Sequence, residues 1–155
     1  MPPAWSLLQL VFVASFVGIL APAPPTPCPQ GCLCVGTTIR CMFLNFDRVP
    51  RVPENTTVLD LRFNNIRRIP ANAFQDLHQL DALLLDNNQL QIIENQAFEG
   101  LRSLRHLFLS KNNIKHLEDD AFSGLHQLEQ LHLNDNRIHT VQKGALQNLR
   151  QLRRL

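Results

Sequence analysis

The stretch 56-TTVLDLRFNNI-66 decides the fold. Its leucines Leu59 and Leu61 and its asparagine Asn64 return as Leu83, Leu85 and Asn88, as Leu107, Leu109 and Asn112, and as Leu131, Leu133 and Asn136, each time 24 residues further on. Two residues behind each asparagine comes Ile66, Leu90, Ile114 or Ile138. The rest of the unit recurs as well. Ile69, Ile93, Leu117 and Val141 share one position, Ala73-Phe74, Ala97-Phe98, Ala121-Phe122 and Ala145-Leu146 the next, and Leu77, Leu101, Leu125 and Leu149 the last. Leucines two apart point to one face of a short strand and leave the residues between them on the other. One unit cannot bury that face alone, whereas stacked units bury a continuous core. An amphipathic helical array does not fit, because the apolar positions mix spacings of three and two.

The units have the form L-x-x-L-x-L-x-x-N-x-L, and the chain in this respect resembles leucine-rich-repeat proteins. The resemblance implies an α/β-type solenoid: a right-handed horseshoe with a parallel β-sheet on its concave face and a disulfide cap at its N-terminal end. The repeats divide as 56–79, 80–103, 104–127 and 128–151, with 152–155 opening a fifth. Each asparagine stands where the strand ends and the chain bends inward, so its amide can serve backbone groups that would otherwise be buried unpaired. Asn64, Asn88, Asn112 and Asn136 are therefore expected to form a ladder, and Phe74, Phe98 and Phe122 a second spine on the convex side. The chain stops in mid-strand, which leaves Leu149, Leu152 and Leu155 expected on an open apolar edge and points to the N-terminal portion of a longer protein.

Residues 1–27 contain no Lys, Arg, Asp or Glu and carry an apolar run from Leu7 to Leu20. That run is shorter than the roughly 20 residues of a bilayer span. With the small-residue site Ala21-Pro22-Ala23 behind it, the segment reads as a secretory signal peptide, although no basic residue precedes the run and Pro24 disfavours a cut after Ala23. All four cysteines, Cys28, Cys32, Cys34 and Cys41, fall in a cap region at 28–55. Four cysteines allow three pairings or one metal site. The tight Cys32-Leu33-Cys34 spacing does not suit a zinc knuckle, and an oxidising compartment favours two disulfides. The spacing resembles the N-terminal cap of extracellular leucine-rich-repeat proteins, which implies Cys28 with Cys34 and Cys32 with Cys41. Asn55-Thr56-Thr57 is a glycosylation sequon, placing a candidate glycan on Asn55 at the entry to the first repeat.

Net charge is +2 with 18% charged residues, a balance that implies no nucleic-acid surface. The basic residues Arg150, Arg153 and Arg154 could receive an acidic polysaccharide, but short charge runs are more often solvated. The six histidines, His78, His106, His116, His126, His132 and His139, make no motif with a nucleophile or a metal pair. His106 and His132 are expected to point outward from neighbouring strands, where they could approach each other, but two surface histidines are far more often solvated than ligands. No phosphate-binding loop, dinucleotide fingerprint or nucleophile elbow is present, so neither catalysis nor a cofactor is expected.

What remains is the concave surface. Strands about 4.8 Å apart line up equivalent side chains in rows. The middle row is Asp60, Leu84, Phe108 and His132, flanked by Val58, Ala82, His106 and Gln130 on one side and by Arg62, Asp86, Ser110 and Asn134 on the other. Leu84 and Phe108 would face solvent within a polar surround, the arrangement of a protein contact; the alternative is that they pack on each other. Within the extracellular family the chain resembles the N-terminal region of peroxidasin and peroxidasin-like proteins. The similarity rests on C-P-x-x-C-L-C at Cys28–Cys34, T-T-x-R-C-M at Thr37–Met42, T-T-V-L-D-L-R-F-N at Thr56–Asn64 and A-F-E-G-L at Ala97–Leu101. Leu146, in place of a spine phenylalanine, departs from the pattern. The resemblance implies a secreted module that binds an extracellular or matrix protein, with a haem peroxidase in later domains absent from this chain. An adhesion or guidance module of the Slit or receptor type is the alternative.

Overall fold

The computed structural model describes residues 26–155; the signal-peptide expectation lies outside them. Ten short strands run in chain order as β1 (Leu33–Val35), β2 (Thr38–Arg40), β3 (Val58–Asp60), β4 (Arg68–Ile69), β5 (Ala82–Leu84), β6 (Ile92–Ile93), β7 (His106–Phe108), β8 (His116–Leu117), β9 (Gln130–His132) and β10 (Thr140–Val141). A six-stranded sheet has the order β1-β2-β3-β5-β7-β9. Only β1 against β2 is antiparallel; every later pair is parallel. The register aligns Leu59, Leu83, Leu107 and Leu131 across β3, β5, β7 and β9, and all four are fully buried. This is the consequence of a strict 24-residue interval: any slip by one residue would turn every leucine to solvent.

The return segments are turns and two small parallel pairs, β4 with β6 and β8 with β10, and no helix occurs among the described residues. Each convex turn closes through bonds such as Gln75 N–H to the Asn72 carbonyl at 3.2 Å and Leu77 N–H to the Phe74 carbonyl at 2.9 Å. Asn72, Gln96 and Asp120, at φ of 58°, 61° and 60°, enter these turns in the left-handed conformation, which breaks a helix at its start. Gly100, at φ 92°, is a close approach between turns, because a Cβ there would sit 2.3 Å from the Gln75 carbonyl oxygen.

Two stacks run along the solenoid. Asn88 accepts from Ile66 N–H at 3.1 Å and donates to the Leu61 and Leu85 carbonyls at 2.9 and 3.1 Å. Asn112 repeats the pattern with Leu90 N–H at 3.0 Å and the Leu85 and Leu109 carbonyls, both at 3.0 Å. Asn136, half-buried, does the same with Ile114, Leu109 and Leu133. One asparagine thus joins two coils and satisfies three buried backbone groups. On the convex side Phe98 stacks between Phe74 and Phe122, with ring centroids 6.1 and 5.8 Å away.

At the cap, Cys28 is bonded to Cys34 and Cys32 to Cys41. Asn64 ties this cap to the ladder: it donates to the Cys41 carbonyl at 2.7 Å and accepts from Leu44 and Phe46 N–H. Thr56, where later units have leucine, is fully buried and donates its hydroxyl to the Pro53 carbonyl. At the other end the expected open edge is narrower than Leu149, Leu152 and Leu155 together. Leu149 is buried and Leu152 half-buried, leaving Leu155 at 73% exposure. The cause is that Arg153 and Arg154 pair with β9, through Arg153 N–H to Glu129 and Leu131 N–H to Arg154, and so lay the chain across the edge.

The concave strand face

The sheet register brings the expected surface residues into rows. Asp60, Leu84, Phe108 and His132 are direct neighbours across β3, β5, β7 and β9, as are Val58, Ala82, His106 and Gln130. β2 and the antiparallel β1 extend both rows over the cap, adding Arg40 and Leu33 to the first, Thr38 and Val35 to the second. Repeat spacing alone does not reveal these four residues, because the cap unit is shorter than the others.

The structure corrects one member of the middle row. Asp60 is buried, with only 4% of its surface accessible. Arg62 folds back over it as a fork, Nε to Oδ1 at 2.9 Å and Nη2 to Oδ2 at 2.7 Å, a bidentate geometry that holds both side chains. Asp60 in turn raises the Arg62 guanidinium further above its ordinary range. Asp60 is therefore occupied within the fold, and Arg62 presents only its outer edge.

Leu84 and Phe108 are half-buried, and Phe108 stacks on His132 with centroids 4.7 Å apart. His106 lies beside Gln130 in the neighbouring row, and His132 stacks on Phe108. His116 and His139 stand edge to face with ring centroids 4.5 Å apart. Their separation of 23 residues, one short of the repeat, offsets the pair diagonally and hides it from a search at the repeat interval. His132 Nε2 is buried without a hydrogen-bond partner. In the third row Asp86 accepts Ser110 N–H at 2.8 Å, and Ser110 Oγ lies 2.7 Å from Asn134 Oδ1. Arg153 lies 3.7 Å from Glu129, so one of the three terminal arginines is already engaged. Asn55 is exposed in a turn. Among the described residues no group of three His, Cys, Asp or Glu could hold a metal, and no helix is long and apolar enough to cross a membrane.

The leucine rich repeat family profile matches residues 54–114 and 107–155. This chain belongs to the leucine-rich repeat family. Among similar leucine-rich-repeat proteins, a human protein described as a probable oxidoreductase, PXDNL, is 58% identical over 64 residues, 41% of this chain and 4% of that protein. Human peroxidasin homolog is 46% identical over 83 residues, 52% of this chain and 6% of its own length. Human relaxin receptor 1 is 35% identical over 95 residues, 56% of this chain and 12% of the receptor. A crystal structure of a TLR13–ssRNA13 complex superposes with a TM-score of 0.72 at 31% identity, covering 75% of this chain and 17% of that one. The chain thus spans a small fraction of the curated relatives it matches. Its described residues form a repeat solenoid and contain no catalytic domain.

The burial of Asp86 has a measurable consequence in this leucine-rich-repeat chain. Loss of hydration pushes its carboxyl above the ordinary range, opposed by the Ser110 N–H and by the charges of Arg62 and His132. A carboxyl with a raised folded-state pKa binds its proton more tightly folded than unfolded. Its contribution therefore favours the fold at low pH and is lost as pH rises from about 3.8 through the raised value. Asp86→Asn, which keeps the acceptor for Ser110, is expected to raise the thermal midpoint at pH 7 and to leave it unchanged at pH 3. A lower midpoint at pH 7 would show that the attraction of Arg62 outweighs burial.

Proposed function

We propose that this chain is a secreted protein-binding module, the N-terminal portion of a peroxidasin-like extracellular-matrix protein, and that it binds a matrix protein through its concave strand face. The observation that carries this reading is the row Leu84, Phe108 and His132: half-buried apolar and aromatic side chains, fixed on paired strands and surrounded by His106, Gln130, Asp86 and Arg62. Rigid aromatic groups inside a polar rim are the usual carriers of interface energy. The disulfide cap supports an extracellular location, and the exposed turn at Asn55 supports a glycan there. The similarity to relaxin receptor 1 favours a second reading, an adhesion or receptor-type module.

The test pairs a titration onto a reconstituted basement-membrane gel with a thermal melt. Phe108→Ala is expected to weaken binding by about 2 kcal/mol or more, roughly thirtyfold, with little effect on stability. Leu109→Ala, which removes a fully buried side chain, should instead cost about 2–5 kcal/mol of stability. If Phe108→Ala lowers the midpoint as far as Leu109→Ala, then Phe108 belongs to the core and the concave reading loses its anchor.

A further inference from the structure

Of the seven large apolar side chains that stand exposed among the described residues, four lie at the cap end: Leu33 at 57%, Val35 at 64%, Phe43 at 67% and Phe63 at 39%. Phe43 and Phe63 stack face to face with centroids 4.5 Å apart and planes 9° from parallel. Both also adopt the left-handed backbone conformation, each at φ 58°. Phe63 precedes the ladder residue Asn64, and the same position in later repeats is taken by Asn87, Lys111 and Asp135, all with φ between 53° and 57°. The fold thus requires a left-handed residue there, and after glycine it is asparagine or aspartate that meets the requirement best. A phenylalanine at such a position is strained, and this one is not compensated by burial. Strained, exposed aromatic residues held in fixed geometry mark a contact surface.

The Arg62 charge beside Phe63 is offset by Asp60 and Asp86, and the cation left over is Arg40. Arg40 on β2 is exposed and makes no ion pair among the described residues. The nearest carboxylate in its row, Asp60, is buried under Arg62. Leu33 lies directly opposite Arg40 across the β1–β2 pair, and Cys34, facing the core, leaves Leu33 and Val35 on the same side as Arg40. Met42 lies against Arg62, Sδ to Nη2 at 3.9 Å. The cap end therefore presents apolar surface with exposed positive charge.

From this we infer that Phe43 and Phe63 are the anchor of a second contact region, which takes a protein segment presenting a bulky apolar side chain beside a carboxylate. The apolar group packs on the phenylalanine pair, and the carboxylate meets Arg40. The inference rests on the reading of the chain as a protein-binding module but not on the position of its contact at Phe108.

The experiment selects binders to the whole secreted chain from a phage-displayed random peptide library, then titrates the enriched peptides against four proteins: the parent chain, the double variant Phe43→Asn/Phe63→Asn, Arg40→Glu, and Phe108→Ala. Peptides combining an aliphatic or aromatic residue with Asp or Glu should be enriched. The double variant should bind them at least about tenfold more weakly while its thermal midpoint stays level or rises, since asparagine relieves the strain. Arg40→Glu should weaken the carboxylate-bearing peptides specifically. A marked fall in the midpoint of the double variant would make the pair a structural element and overturn the inference. So would a selection with no binders, or binders indifferent to the double variant. Binders lost only in Phe108→Ala would overturn it as well, while leaving the concave reading in place.

Discussion

Asn112→Leu should destabilise the chain by about 2 kcal/mol or more, whereas Asn113→Leu next to it should change stability by no more than about 0.5 kcal/mol. Asn112 is 5% exposed, and its amide serves Leu90 N–H and the carbonyls of Leu85 and Leu109. A leucine of similar size leaves Leu90 N–H buried without an acceptor, at about 1–3 kcal/mol, and removes one of two donors from each carbonyl, since Asn88 still reaches Leu85 and Asn136 still reaches Leu109, at about 0.5–1.5 kcal/mol for each bond lost. Asn113 touches the ladder only through its backbone, its N–H donating to the Leu90 carbonyl at 2.8 Å, a bond that leucine retains. Equal falls in the denaturation midpoint of the two variants would contradict the assignment of Asn112 to a buried ladder.

The second large effect belongs to the convex spine. Phe98→Ala is expected to cost about 3–5 kcal/mol, because the ring is fully buried between Phe74 and Phe122 and its removal opens a cavity and takes from both neighbours the ring they stack on. Phe98→Leu should cost much less. The fourth repeat already carries Leu146 at the equivalent position, where it is half-buried against the core. Urea unfolding of both variants separates the cases. A Phe98→Ala protein as stable as the parent would mean that the spine does not hold successive turns together.

The parts of the fold that repeat are the parts the sequence makes legible. A fixed interval places Leu59, Leu83, Leu107 and Leu131 in register, and alternation along each strand then determines which residues share the concave face. The ladder follows because asparagine alone among the polar positions returns where a strand must end. What the interval cannot convey is how side chains settle within a row. Asp60 occupies an outward position by alternation, yet it is buried because an arginine happens to stand two residues on, at the right distance to fold back over the carboxylate. Phe108 and His132 share a row by periodicity, but their stacking depends on rotamers. The Phe43–Phe63 pair escapes the period altogether. These residues are 20 apart, four fewer than the repeat, because the cap coil is shorter, and the left-handed backbone that joins them is a property of the turn rather than of the residue type.

The residues between the strand leucines form an accessible surface while the leucines form the core, and cysteine labelling along β7 distinguishes the two sets. Single replacements His106→Cys, Leu107→Cys, Phe108→Cys and Leu109→Cys, each in the oxidised chain whose native cysteines are paired, would be exposed to a maleimide under native conditions. Rapid modification at positions 106 and 108, with protection at 107 and 109 until the protein is unfolded, is the predicted result. Similar rates at all four positions, or protection of 106 and 108, would contradict it.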